Sequence, residues 1–141
     1  MLISTKGRYA LRLMVCVASQ SDEGKTSLRE VSESEDISLK YLEQLARPLV
    51  QEGLLKSVRG KGGGYQLGRP AQEITAGDVL RVVEGTTIPV GCSALDAGLG
   101  CPRSQNCSTV AFWSGLDRII DDYVNAVTLQ DLVDGAPLPQ G

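Results

Sequence analysis

The sequence predicts a mainly α-helical fold with a small β-hairpin: a winged helix-turn-helix followed by a long C-terminal dimerisation helix. Three observations carry that prediction. Two short helices with capping signals lie three or four residues apart within residues 27–52. Two β-prone runs, at residues 54–59 and 65–67, flank a glycine-rich turn directly after them. A broad apolar stripe then recurs with helical spacing over residues 110–127. The 141 residues allow one ordinary domain, or one domain with an appendage, and a content of 42% hydrophobic and 22% charged residues is that of a soluble globule.

Ser4 and Thr5 cap a first helix running to about Ser19, with Tyr9, Leu13 and Val17 on one ridge and Leu11, Met14 and Ala18 on another. Cys16 falls inside this apolar pattern and reads as a small buried hydrophobe. Residues 21–25 form a polar turn. Ser27 and Glu30 make a capping box that opens a short helix to about Ser34. Residues 35–37 break the pattern, and Ser38 caps a second helix from Leu39 to about Glu52. That helix sets Leu42, Leu45 and Leu49 on one face and Lys40, Glu43, Gln44 and Arg47 on the other. Pro48, lacking an N–H, is expected to kink or shorten its second half, and Gly53 ends it at the left-handed cap position.

The glycine-rich turn, residues 60–64, lacks the GK[ST] ending and immediate helix of a phosphate-binding loop. It reads as a wing tip, on which Arg59 and Lys61 can reach phosphates or a minor groove. Pro70-Ala71-Gln72 reads as a hinge, and Thr75 with Asp78 caps a helix ending near Gly85. Residues 85–108 are irregular. The last helix starts near Ser108, and its stripe of Val110, Trp113, Leu116, Ile119, Ile120, Tyr123, Val124 and Val127 is too broad for a lone surface helix on so small a domain. Burial against a second copy, in a homodimer, is therefore expected. The expected divisions are residues 1–70 for the winged helix and 71–107 for a connecting helix and cysteine-bearing loop. Residues 108–133 hold the dimerisation helix and end segment, and 134–141 a frayed, disordered tail.

Charge and cysteine placement narrow the function. Residues 1–70 hold 11 Lys/Arg against 8 Asp/Glu, a net of +3, while residues 71–141 hold 3 against 9, a net of −6; the overall −3 therefore hides a basic half able to meet double-stranded DNA. There is no histidine, which removes Ser-His-Asp and Cys-His hydrolases and any His-ligated metal site on this chain. No paired-carboxylate cleft is evident, so an enzyme is not expected. The longest apolar run, residues 13–18, is far below the roughly 20 residues that cross a bilayer. The N-terminus carries Lys6, Arg8 and Arg12 and has no cleavage-site pattern, so a cytoplasmic protein without membrane contact is expected. In a reducing compartment clustered thiols are more often metal ligands than disulfides. Cys92, Cys101 and Cys107 share one loop with spacing C-x8-C-x5-C, and three thiolates there can converge on a soft centre, an iron–sulfur cluster or Zn²⁺.

The segment Ile37-Ser38-Leu39-Lys40-Tyr41-Leu42-Glu43-Gln44-Leu45 closely resembles the family of the iron–sulfur cluster regulator IscR, whose relatives include the nitric-oxide sensor NsrR and the cysteine-metabolism repressor CymR. So do Ser57-Val58-Arg59-Gly60, Gly62-Gly63-Gly64-Tyr65-Gln66-Leu67, the opening residues 4–10 and the late Thr128-Leu129-Gln130-Asp131-Leu132. The resemblance covers about residues 1–133. It implies a homodimeric bacterial transcription factor in which the helix beginning at Ser38 enters the major groove and Arg59 the minor groove of an operator. Ser38, Lys40, Tyr41, Glu43, Gln44, Arg59 and Lys61 are then the DNA-binding candidates. Glu43 matches a family position that discriminates between two classes of site. Cys92, Cys101 and Cys107 would hold the cluster, 4Fe–4S placed ahead of 2Fe–2S, with Zn²⁺ as a lesser alternative. IscR supplies a histidine where this chain has Val110, and NsrR-like members a partner carboxylate near the place of Arg8. The fourth ligand is thus open, with Asp96, Glu33 or another partner carboxylate, a small thiol or water as candidates, and the middle cysteine spacing is three residues longer than in the enterobacterial type. The alternative is a regulator of cysteine or sulfur metabolism answering to a protein partner or to thiol or zinc chemistry, without a cluster.

Overall fold

The computed structural model describes residues 3–20, 24–60, 62–89 and 105–140. Along them run α1 (Thr5–Ala18), α2 (Leu28–Glu35), α3 (Leu39–Gln51), β1 (Leu55–Val58), β2 (Gly64–Leu67), α4 (Ala76–Glu84), α5 (Val110–Ala126) and α6 (Leu129–Asp134). The fold is the expected one, mainly helical with an antiparallel two-stranded wing.

Local chemistry sets the helix starts. The hydroxyls of Ser4, Ser27, Ser38 and Thr75 each accept a hydrogen bond from a first-turn amide. Ser27 with Glu30 and Thr75 with Asp78 complete reciprocal capping boxes. Residues 36–38 turn the chain between α2 and α3: Asp36 takes a left-handed φ of 54°, Ile37 is buried, and Ser38 caps α3.

The expected shortening of α3 at Pro48 does not occur, and the helix continues to Gln51. One missing amide late in the helix removes one bond, and the end is closed otherwise: Glu52 N–H reaches Pro48 O at 3.0 Å, Gly53 N–H reaches Val50 O and Leu54 N–H reaches Leu49 O. The last two bonds form a Schellman closure, with Leu54 buried behind it.

In the wing, Leu55 pairs with Leu67 and Val58 with Gly64. Its tip requires glycine, since Gly60 and Gly62 have φ of 107° and 77°. The wing is also stitched to the entry of α2, where Thr26 and Tyr65 exchange amide–carbonyl bonds of 3.0 and 2.8 Å. The expected hinge at residues 70–72 is instead the start of a 3₁₀ turn (Ala71–Glu73): Glu73 N–H closes on Pro70 O at 2.8 Å and Ala71 is buried.

One hydrophobic cluster unites the elements. Leu13 and Met14 of α1, Leu42 and Leu49 of α3, Leu55 of β1, Ile74, Val79 of α4 and Leu129 of α6 are all fully buried in it. Where the sequence predicts only an end segment, the structure forms a helix, α6. Thr128 and Asp131 form a third capping box at its start, and Leu129 N–H donates to Ile74 O while Ala76 N–H donates to Val127 O. Helix α5 starts at Val110 and has no buried residue. Arg81 of α4 holds it through Asn125 Oδ1 at 2.7 Å and Asp121 Oδ1 at 3.6 Å.

Candidate nucleic-acid interface

Helix α3 separates its two faces by spacing alone. Leu42, Leu45, Ala46 and Leu49 point into the core, and Lys40, Glu43, Gln44 and Arg47 line one open depression of about 370 Å³ on the outer side. Arg47 completes this i, i+3, i+4, i+7 ridge and joins the sequence-predicted candidates in the same depression. Ser38 is exposed, but its hydroxyl accepts the Tyr41 amide at 3.2 Å and so serves the helix cap. Tyr41 is half-buried, its ring edge-on to Tyr9 with centroids 5.8 Å apart. Arg59 is exposed at the end of β1, whereas Lys61 lies outside the described residues.

The structure therefore brings Lys40, Glu43 and Gln44 to one surface, with Tyr41 at its margin. Tyr41 and Gln44 also meet Lys6, Pro48, Val82 and Val83 around a second depression of about 170 Å³. The end of α4 thus abuts the helix that carries the candidate reading residues.

The cysteine constellation falls largely outside the described residues: Cys92 and Cys101 do so, as does Asp96. Cys107 is described. It is half-buried three residues before α5, and its sulfur shares a 3.3 Å hydrogen bond with the Thr109 hydroxyl. That hydroxyl first, then the Thr109 and Val110 amides, hold its thiol below the ordinary value. A thiol eased toward thiolate at a helix N-terminus is the form that ligates soft metals, so this donor fits a cluster or zinc. Among the described residues no three His, Cys, Asp or Glu side chains gather as a metal site. Glu33 stands exposed on α2 and Arg8 exposed on α1.

Cys16 behaves differently. It is half-buried rather than enclosed, and it donates to Glu35 Oε1 at 3.2 Å. Burial and the neighbouring Glu35 carboxylate push its thiol up to about 11, consistent with an unreactive sulfur.

Glu84 is a residue that sequence reasoning passed over. From the end of α4 its Oε1 accepts the Ser4 hydroxyl at 2.6 Å and the Ser4 and Gly7 amides at 2.9 Å each, capping the start of α1. The Ser4 hydroxyl, outweighing burial with help from these amides and Lys6, keeps its carboxyl below the usual range. No local signal marks a contact between residues 80 apart.

The Rrf2 family model, described as an iron-dependent transcriptional regulator, matches residues 3–135. The chain is 42% identical over 133 residues to the HTH-type transcriptional regulator IscR of Pectobacterium carotovorum, an alignment covering 94% of this chain and 79% of that one. Among solved structures it resembles CymR (YrzC), the global cysteine regulator of B. subtilis. That match has a TM-score of 0.83 and 36% identity, over 97% of this chain and 99% of that one. It also resembles T. potens IscR, with a TM-score of 0.76 and 32% identity, over 100% and 94% of the two chains.

Proposed function

Because the chain belongs to the Rrf2 family of transcriptional regulators, we propose that it grips an operator duplex as a homodimer and that an iron–sulfur cluster held by Cys92, Cys101 and Cys107 sets that grip. Its relatives are regulators of transcription and not enzymes. The observation that carries the reading is the outer face of α3, where Lys40, Glu43, Gln44 and Arg47 share one open surface directly before the wing.

In this reading α3 lies in the major groove. Gln44 can pair bidentately with adenine, Glu43 can accept from cytosine N4 while repelling phosphate, and Lys40 and Arg47 supply the compensating charge. Ser38 and Tyr41 flank them, and Arg59 with Lys61 approaches the minor groove or phosphates. The cysteine loop follows α4 and precedes α5. Since Val82 and Val83 of α4 adjoin Tyr41 and Gln44, a change at the loop has a packed route to the reading face. When bound, a cluster supplies a soft centre sensitive to oxygen, nitric oxide and cluster supply, with 4Fe–4S favoured over 2Fe–2S. The iron-dependent description of the family and the thiolate-favouring setting of Cys107 support it.

The likeness to a structure described as a cysteine regulator favours a second reading, in which a protein partner, zinc or thiol chemistry controls the same DNA-binding unit. Anaerobic purification separates the two, with a visible spectrum and iron, sulfide and zinc analysis of one sample. A brown protein with matched iron and sulfide is expected, and Cys101→Ala is expected to lose that absorbance while remaining folded. A colourless chain that no reconstitution loads would overturn the cluster and favour the second reading.

A further inference from the structure

Tyr9, Arg12 and Cys16 share one ridge of α1, and that ridge addresses the helix-turn-helix. Arg12 reaches the last residue of α2: its Nε and Nη2 lie 3.1 and 2.9 Å from Glu35 Oε2, and Nη2 also donates to the Glu35 backbone carbonyl. The guanidinium sits over the Tyr9 ring, 5.3 Å from its centroid, and Tyr9 in turn meets Tyr41 of α3. Cys16 donates to the other Glu35 oxygen. The carbonyl so engaged is one of the acceptors that a helix C-terminus leaves without an intrahelical partner. The next residue, Asp36, holds a left-handed φ without being glycine, and α3 begins two residues later. Arg12 thus engages the chain one residue before the left-handed turn that leads into α3.

We propose that Arg12 is a positioning residue for operator reading. By clamping the Glu35 carbonyl and carboxylate, and by backing Tyr9 against Tyr41, it fixes the α2–α3 turn and so the presentation of Lys40, Glu43 and Gln44. The inference rests on the DNA-binding function proposed above. The Arg12 and Glu35 side chains are 42% and 29% exposed, so the pair adds little to global stability and its value lies in orientation. The rival role, a direct phosphate contact by Arg12, makes the opposite prediction for Glu35. A carboxylate beside a phosphate contact opposes DNA, whereas a carboxylate that anchors the clamp supports it.

The test uses the full chain and a duplex selected by the wild-type protein from a random-sequence pool. Arg12→Ala and Glu35→Ala are both expected to weaken binding on the order of tenfold with an unchanged salt slope and little change in thermal midpoint. Arg12→Lys, which keeps the charge but not the planar fork, is expected to follow Arg12→Ala. Tighter binding by Glu35→Ala, with a salt slope reduced by about one in Arg12→Ala, would overturn the clamp in favour of a phosphate contact. Hydrogen exchange of the Tyr41 and Leu42 amides, which close the first turn of α3 on Ser38, reads the clamp without DNA. Faster exchange in both alanine variants supports it, and unchanged protection refutes it. A wild-type chain that selects no duplex would refute the DNA-binding function, while the exchange result would still decide the clamp.

Discussion

At the scale of single residues, charged groups do different work in the fold and on the surface. Glu84 joins the end of α4 to the start of α1 through three hydrogen bonds to one oxygen, and its carboxyl is held below the usual range. A folded-state value below the unfolded one, about 4.3, means that Glu84 stabilises the fold above that pH and ceases to as acidification passes through its folded value. Asp78 acts in the same direction: burial pushes its carboxyl up, but the Thr75 amide and hydroxyl, with Arg81 and Arg69, outweigh burial and leave it lowered. Glu84→Gln, which cannot ionise, is expected to lose on the order of 1 kcal/mol at neutral pH and part of the decline below about pH 4, read from denaturant titrations across pH. Arg59 stands apart from the core. Its replacement by Ala is expected to leave the melting temperature unchanged and weaken operator binding by about 1–3 kcal/mol, measured by DNA titration. The exposed place of Arg59 on the wing was legible because a basic residue beside a glycine-rich hairpin turn has few structural uses; the place of Glu84 was not, because its partners are distant in sequence.

At the scale of elements, capping chemistry was the most readable signal. Ser27-x-x-Glu30 and Thr75-x-x-Asp78 each declared a helix start from four residues. Thr128-x-x-Asp131 carries the same signature, yet α6 was anticipated only as an end segment because six residues fall below the length at which helical periodicity is visible. Thr128→Ala should cost about 1 kcal/mol, detectable as a lower denaturant midpoint with an unchanged slope. The cost follows from its place: the cap holds Leu129 in the core, and the adjacent backbone bonds to Ile74 and Ala76 dock the start of α6 on the chain segment that leads into α4. That Pro48 does not shorten α3 has the complementary reason. A rule about one missing amide is local, while the Schellman closure and the buried Leu45 and Leu49 that keep α3 intact depend on what surrounds it.

At the scale of the whole molecule, α5 is the element whose apolar surface the single chain covers only in part. Phe112 and Ile119 are 63% and 59% exposed, and no α5 side chain is buried, although Arg81 fastens the helix to α4. That is what a helix intended for a second copy should look like. The full chain is expected to sediment as a dimer, and Ile119→Asp to shift it toward folded monomer, because a charge placed in such a seam has no partner. A monomeric wild-type chain at tens of micromolar would contradict the homodimer.

The sequence by itself determined the starts of α1 to α4, the wing, the polar and apolar faces of α3, and the family, because all of these are written in short-range spacing and chemistry. It also placed three cysteines in one loop, of which only Cys107 lies among the described residues. The tertiary structure alone decided that Glu84 caps α1, that Arg12 grips the turn before α3, and that Leu129 closes the core beside Ile74. Each of those contacts joins residues more than twenty positions apart. Its geometry is set by how helices pack, and no local pattern in the chain encodes it.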